Sequence, residues 1–262
     1  MSDSTELQGR HALITGGARG VGLACARSLA ARGAAVTLLG RDEQALQAAR
    51  ASLAGEGIEA GVVAADITQA DAVAVAFEQA RAAHGPIQIL VNNAGQAVSE
   101  RFERTSAQLW EQMLQVNLSG TFHCTQAALP DMLQGGWGRV INVASTAGLI
   151  GYGYVTAYCA AKHGVVGLTR ALAQEVARKG ITVNAVCPGY TETDIVRQAV
   201  DNIMKKTGMD ETAARARLAE RNPQGRLVSA AEVADTVAWL ALPASASVNG
   251  QAIAVDGGEA AA

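Results

Sequence analysis

The sequence predicts a single α/β domain, residues 1–262, in which a parallel sheet of about seven strands carries helices on both faces. Apolar strand-like runs alternate with amphipathic helix-like segments along the whole chain, which is the pattern of a doubly wound sheet. Of the 262 residues, 49% are hydrophobic and 17% are charged, so the chain can bury one large core. Because no linker interrupts the alternation, we expect one domain.

The predicted strands lie near residues 11–15, 35–39, 58–65, 87–92, 138–145, 181–187 and 251–255. Capping pairs indicate where helices start, and the two clearest are Thr105 with Gln108 and Ser229 with Glu232. In a parallel sheet of this kind, ligands bind at the carboxyl ends of the strands. Polar or glycine-rich segments follow most of the predicted strands, so they should converge on one side of the sheet.

The first of these segments is a glycine turn between the first strand and the first helix. Gly16, Gly20 and Gly22 lie in it with the spacing GxxxGxG, followed by the helix-like text LACARSLAARG. Backbone amides at the start of a helix, with no Cβ atoms in front of them, form a seat for a pyrophosphate. The spacing differs from GxGxxG, and a tight turn that needs positive φ is the alternative interpretation.

A second segment carries residue types suited to proton transfer. Tyr158 and Lys162 are four residues apart in helix-like text, so both side chains project from one face. A nearby ammonium is expected to lower the pKa of a phenol, and Ser145 at the end of an apolar run could hydrogen-bond the oxygen that exchanges the proton. Taken alone, the pair is more typical of a surface tyrosine beside a solvated lysine.

Taken together, the motifs resemble the short-chain dehydrogenase/reductase family along the whole chain. They are TGGARGVG at 15–22, NNAG at 92–95, Asn117, Ser145, Tyr158, Lys162 and PGYTET at 188–193. Within this family, the sequence as a whole is most similar to β-ketoacyl-thioester reductases and polyketide ketoreductases. The resemblance implies a Rossmann-type fold, an NAD(P) cofactor, and interconversion of a ketone and a secondary alcohol, with 3-ketoacyl thioesters and their 3-hydroxy forms among the candidate substrates.

The resemblance also implies a role for each motif residue. The catalytic set is Asn117, Ser145, Tyr158 and Lys162, in which Asn117 anchors a water that relays protons and Lys162 also holds the nicotinamide ribose. The remaining cofactor contacts are Gly16, Gly20, Val21 and Gly22 at the pyrophosphate, Asp66 and Ile67 at the adenine, Asn93, Ala94 and Gly95 at the adenosine ribose and central strand, and Pro188, Gly189, Thr191 and Thr193 at the nicotinamide. A helix cap or turn is the alternative role for Asp66, and a local helix kink is compatible with the role of Asn117.

The end of the second predicted strand favours NADP(H) over NAD(H). NAD enzymes of this architecture usually carry an acidic residue there, which binds the ribose 2′-hydroxyl. Here the position is Gly40, followed by Arg41, and Arg19 lies in the glycine turn. Two guanidinium groups could therefore flank a 2′-phosphate. Alternatively, Arg19 is a solvated turn residue, and the charge of Arg41 is partly offset by Asp42.

The long polar segment near residues 190–227 is interpreted as a substrate lid. Its cations could receive the phosphates of coenzyme A or of an acyl-carrier arm, but interleaved acidic residues favour a solvated helix face. Tyr152 and Tyr154 could line the substrate pocket or serve in packing. Two alternative functions make different predictions. A nucleotide-sensing protein without turnover would lack Tyr158 or Lys162, and an enoyl reductase, in related proteins, spaces its tyrosine and lysine six residues apart.

The resemblance implies a small-molecule carbonyl or alcohol substrate, and the charge of the chain argues against other partners. A net charge of −3 argues against nucleic acid or an anionic membrane surface as a partner. We also expect a cytoplasmic protein, because a signal-like apolar segment is missing from the first residues and the cysteines resemble buried thiols. Dispersed histidines and cysteines predict no metal site. The helices along 106–133 and 153–179 carry more apolar residues than one sheet-facing stripe needs, which leaves an apolar surface for a partner subunit. The family resemblance supplies the number four, so we expect a homotetramer.

Overall fold

The computed structural model describes residues 5–261, except for the side chain of Ile195. Its sheet contains seven parallel strands in the order β3-β2-β1-β4-β5-β6-β7. The strands are β1 His11–Thr15, β2 Ala35–Gly40, β3 Ala60–Ala64, β4 Ile89–Asn92, β5 Gly138–Val143, β6 Ile181–Pro188 and β7 Ala252–Val255. The doubly wound parallel sheet predicted from the sequence is confirmed.

Helices cover both faces of this sheet, as expected when every strand is buried from two sides. One apolar core joins helices α1, α2 and α9 to the sheet, and a second joins α3, α5 and α6 to the opposite face. The helices are α1 Gly20–Ala30, α2 Glu43–Gly55, α3 Ala70–His84, α4 Ala107–Leu114, α5 Gly120–Gly135, α6 Thr156–Val176, α7 Asp194–Thr207, α8 Glu211–Ala219 and α9 Ala230–Ala241.

The strand order reverses between β1 and β4, and this places a crevice at their carboxyl ends. The glycine turn, Asp66, the NNAG motif, Ser145 and Pro188 lie at or just after the carboxyl ends of β1, β3, β4, β5 and β6. They lie at one edge of the sheet, as the sequence predicts. The fold therefore gathers motifs that are far apart in sequence into one region.

The predicted cap at Thr105 is wrong by one residue. Helix α4 begins at Ala107, and its N-cap is Ser106, whose Oγ accepts a hydrogen bond from the amide of Leu109 at 3.1 Å. Thr105 instead donates its hydroxyl to the carbonyl of Arg101. Two adjacent hydroxyl residues offer the same local chemistry, and the backbone path decides which of them caps. The capping box predicted for Ser229 and Glu232 is confirmed at the start of α9.

Residues 190–227, which we call the lid segment, form helices α7 and α8 and the turns around them. An isolated β-bridge between Thr191 and Val228 closes the base of the segment. Inside it, a small apolar cluster joins the two helices through Val196, Val200, Ala214 and Leu218.

Two further properties concern residues 5–261. None of the helices in this range combines the length and apolar character that crossing a bilayer requires. The same residues contain no group of three or more His, Cys, Asp or Glu side chains arranged to hold a metal ion.

Candidate active site

The glycine turn connects β1 to α1 and leaves no room for a side chain at Gly16 or at Gly22. Gly16 has φ +63°, and a Cβ atom there would lie 2.9 Å from Nδ2 of Asn93. A Cβ atom on Gly22 would lie only 2.2 Å from the carbonyl oxygen of Gly16. The N-cap residue of α1 is Arg19, which makes no side-chain capping bond, so the first amides of the helix are not capped from within the turn. This cradle fits the pyrophosphate of a dinucleotide.

Asn93 and Thr15 fasten the glycine turn to the centre of the sheet. The hydroxyl of Thr15 accepts hydrogen bonds from the amides of Asn93 and Ala94, at 3.0 and 2.9 Å. The side-chain amide of Asn93 donates to the carbonyls of Thr15 and Gly16, at 3.0 and 3.2 Å. These bonds fix the relative position of the carboxyl ends of β1 and β4. They support the role at the central strand that the family resemblance implies for the NNAG motif.

Asn117 lies in a turn of π-helix, residues Gln115–Ser119, between α4 and α5. Its side chain is fully buried, and its Oδ1 accepts from the amide of Gln96 at 3.2 Å while its Nδ2 donates to the Gln96 carbonyl at 2.9 Å. A Cβ atom on Gly95 would lie 2.8 Å from Oδ1 of Asn117 and 3.6 Å from Nζ of Lys162. A π-turn of this kind often accompanies a functional site, and here Asn117 and Lys162 flank Gly95.

Tyr158 and Lys162 lie on α6 next to Ser145, as the sequence predicts. The hydroxyl of Ser145 accepts from the amide of Ala147 at 3.1 Å and is within hydrogen-bonding reach of the Tyr158 phenol. Nζ of Lys162 donates to the carbonyl of Val143 at 2.8 Å and lies 5.7 Å from the centre of the Tyr158 ring. Strand β5 and helix α6 therefore hold all three polar groups together.

Burial is the main cause of the pKa shifts of Tyr158 and Lys162. It raises the pKa of Tyr158 to about 12, although the hydrogen bond with Ser145 acts in the opposite direction. Burial also lowers the pKa of Lys162 to about 8. The lowering of the phenol pKa expected from Lys162 is therefore not found in this structure. Its ammonium is directed at the Val143 carbonyl and meets the tyrosine ring rather than the hydroxyl.

Residues after β3 line one side of a cavity of about 270 Å³. Oδ1 of Asp66 accepts from the amide and hydroxyl of Thr68, at 2.9 and 2.8 Å, so the turn role considered for this residue is present. Its other oxygen lies 3.9 Å from Nη1 of Arg41. The side chain of Ile67 is buried against Gly120, where an added Cβ atom would lie 2.5 Å from Cδ1 of Ile67. Only the backbone of Ile67 is left for an adenine contact.

The start of the lid segment lies against the glycine turn. Pro188 ends β6, and the amide of Gly189 donates to the carbonyl of Val255. Thr191 is buried and donates to the carbonyl of Gly189, and Thr193 is the N-cap residue of α7. The methyl group of Thr193 would lie 3.4 Å from a Cβ atom on Gly20.

The sequence analysis missed one carboxylate near this site. Glu259 lies in the short helical turn Glu259–Ala261, and its Oε2 would be 3.2 Å from a Cβ atom on Gly189. Its Oε1 lies 3.9 Å from Nη1 of Arg221, at the end of the lid segment. Nothing in the local sequence marks this residue, because it reaches the site from the chain end only after β7 has paired with β6.

Comparison with known proteins agrees with the geometry. The family model described as short chain dehydrogenase matches residues 10–203, and the chain belongs to the short-chain dehydrogenase/reductase family. It is 38% identical over 253 residues to D-beta-hydroxybutyrate dehydrogenase of Cupriavidus necator, covering 96% of this chain and 98% of the relative. It is 37% identical to 3-oxoacyl-[acyl-carrier-protein] reductase FabG of Escherichia coli, covering 96% and 97%.

Among solved structures, a variant of actinorhodin polyketide ketoreductase with NADPH matches with a TM-score of 0.93. It is 37% identical, and the match covers 98% of this chain and 99% of that one. The chain is an NAD(P)-dependent oxidoreductase that interconverts a ketone and a secondary alcohol. Nothing in the comparisons favours a nucleotide sensor without turnover, and both Tyr158 and Lys162 are in place.

Proposed function

We propose that the chain reduces the ketone of a 3-oxoacyl thioester to the 3-hydroxy form, with NADP(H) as the preferred coenzyme. The grouping of Ser145, Tyr158 and Lys162 at the carboxyl edge of the sheet carries this proposal. Relatives named as ketoacyl or 3-oxoacyl reductases support the substrate class.

The proposed mechanism uses the polar groups of β5 and α6. A nicotinamide coenzyme, when held by the glycine turn and by Lys162, would supply the hydride for reduction or accept it in the reverse direction. Tyr158 donates a proton to the carbonyl oxygen as negative charge develops there, and Ser145 donates a hydrogen bond to the same oxygen. Lys162 contributes positive charge beside the phenol and holds the nicotinamide ribose. Asn117, fixed by the backbone of Gln96, anchors the water that returns a proton to Lys162.

The lowered pKa of Lys162 predicts how reduction depends on pH. The ammonium is present below pH about 8 and is lost as the pH rises through that value. We expect kcat/KM for ketone reduction to fall above pH 8. The check is a pH profile from pH 6 to 10, measured with a substrate that has no ionisable group. A flat profile across this range would contradict the role of the ammonium.

The preference for NADP(H) rests on the charges around the predicted 2′-phosphate. Gly40 ends β2, so this position carries no carboxylate, and the exposed side chain of Arg41 lies at the cavity lined by Asp66. The carboxylate of Asp42 caps α2 through the amide of Ala45. Arg19, in the glycine turn, would supply the second guanidinium for the 2′-phosphate. Two similar solved structures, the polyketide ketoreductase and a gluconate 5-dehydrogenase from Burkholderia cenocepacia, are complexes with NADPH and NADP, which supports the same choice.

The lid segment is proposed to cover a small-molecule substrate, with no nucleic acid or membrane as partner, in a cytoplasmic homotetramer. Phe122 and Leu133 on α5 are exposed apolar side chains of the kind a second subunit would bury. Light scattering at micromolar concentration tests the assembly. A single species of the monomer mass, 26.9 kDa, would contradict it.

A panel of ketones, 3-oxoacyl thioesters and secondary alcohols tests the proposed function. Each substrate is assayed with NADPH and with NADH, or with the oxidised forms, by following the absorbance of the reduced nicotinamide. We expect the highest kcat/KM for a 3-oxoacyl thioester with NADPH. Higher efficiency with NADH than with NADPH would contradict the coenzyme assignment, and no turnover of any carbonyl or alcohol would contradict the function itself.

A further inference from the structure

A buried carboxylate oxygen next to the substrate side of the site has no hydrogen-bond partner among the described residues. It is Oε1 of Glu259, whose side chain is only 6% exposed. An acceptor of this kind costs free energy when it stays unpaired in a buried place. An orphaned carboxylate oxygen in a cleft therefore indicates a donor group that binds there.

The nearest cation lies too far away to satisfy this oxygen. Nη1 of Arg221 is 3.9 Å from Oε1 of Glu259, beyond hydrogen-bonding distance, and the Arg221 side chain is 50% exposed. Its guanidinium lies over the ring of Tyr152 with 4.7 Å to the ring centre. The two charges are therefore held apart, with Arg221 fixed over an aromatic face.

Aromatic residues connect this pair of charges to the reacting groups. The hydroxyl of Tyr152 donates to Oγ1 of Thr146, the residue after Ser145, at 2.8 Å. The rings of Tyr152 and Tyr190 meet edge to face at 6.3 Å. The carboxylate and the guanidinium thus lie on the lid side of the proton-transfer site.

The separation and the two opposite charges favour one chemical group as the ligand. A separation of 3.9 Å is the spacing expected when one oxygen, about 2.8 Å from each atom, bridges Nη1 of Arg221 and Oε1 of Glu259. Such an oxygen must accept from the guanidinium and donate to the carboxylate. A hydroxyl group does both, whereas a carboxylate cannot donate and an ammonium cannot accept.

We propose that Glu259 and Arg221, supported by Tyr152, form a subsite that binds a hydroxyl group of the substrate. The enzyme then prefers ketones that carry a hydroxyl on the side of the reacting carbon that faces the lid segment. This inference rests on the proposed ketone reduction and narrows its substrate class. A site built to bind a substrate hydroxyl discriminates strongly against the analogue that lacks it.

Matched pairs of neutral ketones test the subsite in the wild-type enzyme. The first pair is cyclohexanone with 2-hydroxycyclohexanone, and the second set is 1-tetralone with its 5-, 6-, 7- and 8-hydroxy isomers. We expect at least one hydroxylated ketone to have a kcat/KM about ten- to a hundredfold above its parent, the range for a hydrogen bond to a charged group. If every hydroxylated ketone had the same kcat/KM as its parent, the proposal would be overturned, and water alone would occupy the subsite.

Two variants identify the residue that is responsible. Glu259→Leu removes the acceptor, and Glu259→Gln keeps the shape and one neutral acceptor. We expect Glu259→Leu to erase the advantage of the hydroxylated ketone and Glu259→Gln to reduce it, while kcat/KM for the unsubstituted parent stays within about threefold. The unchanged parent activity shows that both variants fold.

Arg226→Leu is the matched control, because Arg226 is a lid-segment arginine that pairs with Glu232 and not with Glu259. We expect it to keep the full advantage of the hydroxylated ketone, whereas Arg221→Leu loses it. An equal loss for hydroxylated and parent ketones in Arg221→Leu would mean that Arg221 only holds the lid segment, and would overturn the subsite. Turnover of parent ketones by the wild type separates this outcome from a failure of the proposed function.

Discussion

The two sides of the substrate cleft are built in different ways. One side is β5 and α6, residues 138–176, which we call the catalytic wall. All six residues of β5 are buried, and α6 packs against the sheet with Ala161, Val165, Val166 and Ala173. The other side is the lid segment, whose own core consists of four buried residues. The groups proposed to transfer protons lie on the catalytic wall, and the lid segment carries Arg221, one of the groups proposed to select the substrate.

Ion pairs near the surface lie within the lid segment and between it and its neighbours. Arg19 contacts Asp194 at 3.0 Å, Arg215 contacts Glu192 at 2.7 Å, and Arg221 faces Glu259. Exposed pairs of this kind contribute only about 0–1 kcal/mol each. Apolar burial at the catalytic wall is much stronger, since a single fully buried Leu or Val contributes about 1.5–3 kcal/mol. This difference leaves the lid free to vary or move while the wall keeps its geometry.

The largest expected effect is on the catalytic wall itself. In Tyr158→Phe the phenol that donates the proton is lost, and we expect kcat to fall by about a hundredfold or more. The affinity for NADPH, measured by fluorescence titration, should change little, because the ring and its packing remain. Near-normal turnover of the variant would show that the proton comes from another group.

The contrast in packing between the central sheet and the lid segment is tested by truncating one leucine in each. Leu90→Ala in β4 removes a fully buried side chain, and we expect the free energy of unfolding to fall by about 2–5 kcal/mol. Leu218→Ala should change the global unfolding transition much less, because the lid segment can open on its own. It should instead raise KM severalfold. Urea denaturation and steady-state kinetics give both readouts, and equal destabilisation by the two variants would show that lid and sheet unfold as one unit.

The sequence predicted the elements whose signal is local. The strands, the glycine turn and the spacing of Tyr158 and Lys162 depend on residues close together in the chain, and the strand ends then bring the motifs together. The side-chain direction of Ile67, the pKa of Tyr158 and the position of Glu259 could not be predicted. Each depends on which distant element packs nearby: α5 for Ile67, the buried surroundings for Tyr158, and the pairing of β7 with β6 for Glu259.

The coenzyme end of the site allows a prediction of intermediate size. Arg41→Leu removes one guanidinium from the proposed 2′-phosphate site, and we expect NADPH affinity to fall by about ten- to a hundredfold. NADH affinity should stay almost unchanged, since NADH carries a hydroxyl there. Arg50→Leu, at an exposed position of α2, is the matched control and should affect neither coenzyme. A similar loss for NADPH and NADH in Arg41→Leu would exclude specific binding of the phosphate.

The smallest expected effect concerns the link between the coenzyme end and the lid segment. Asp194, in the first turn of α7, holds the guanidinium of Arg19 and also contacts Arg197. A 2′-phosphate that binds Arg19 must compete with this carboxylate. We therefore expect Asp194→Asn to raise NADPH affinity by about two- to fivefold, the range of an exposed ion pair, and to leave NADH affinity unchanged.

Asp201→Asn, farther along α7 and exposed, is the control for the loss of one negative charge on the same helix. Both affinities can be measured by quenching of nicotinamide fluorescence at low and high salt, and the gain in NADPH binding should shrink at high salt because the competing pair is exposed. Weaker NADPH binding in Asp194→Asn would contradict the expected competition between Asp194 and the 2′-phosphate for Arg19. It would mean that Asp194 holds Arg19 in position for the phosphate, so that an ordered lid segment assists coenzyme binding instead of competing with it.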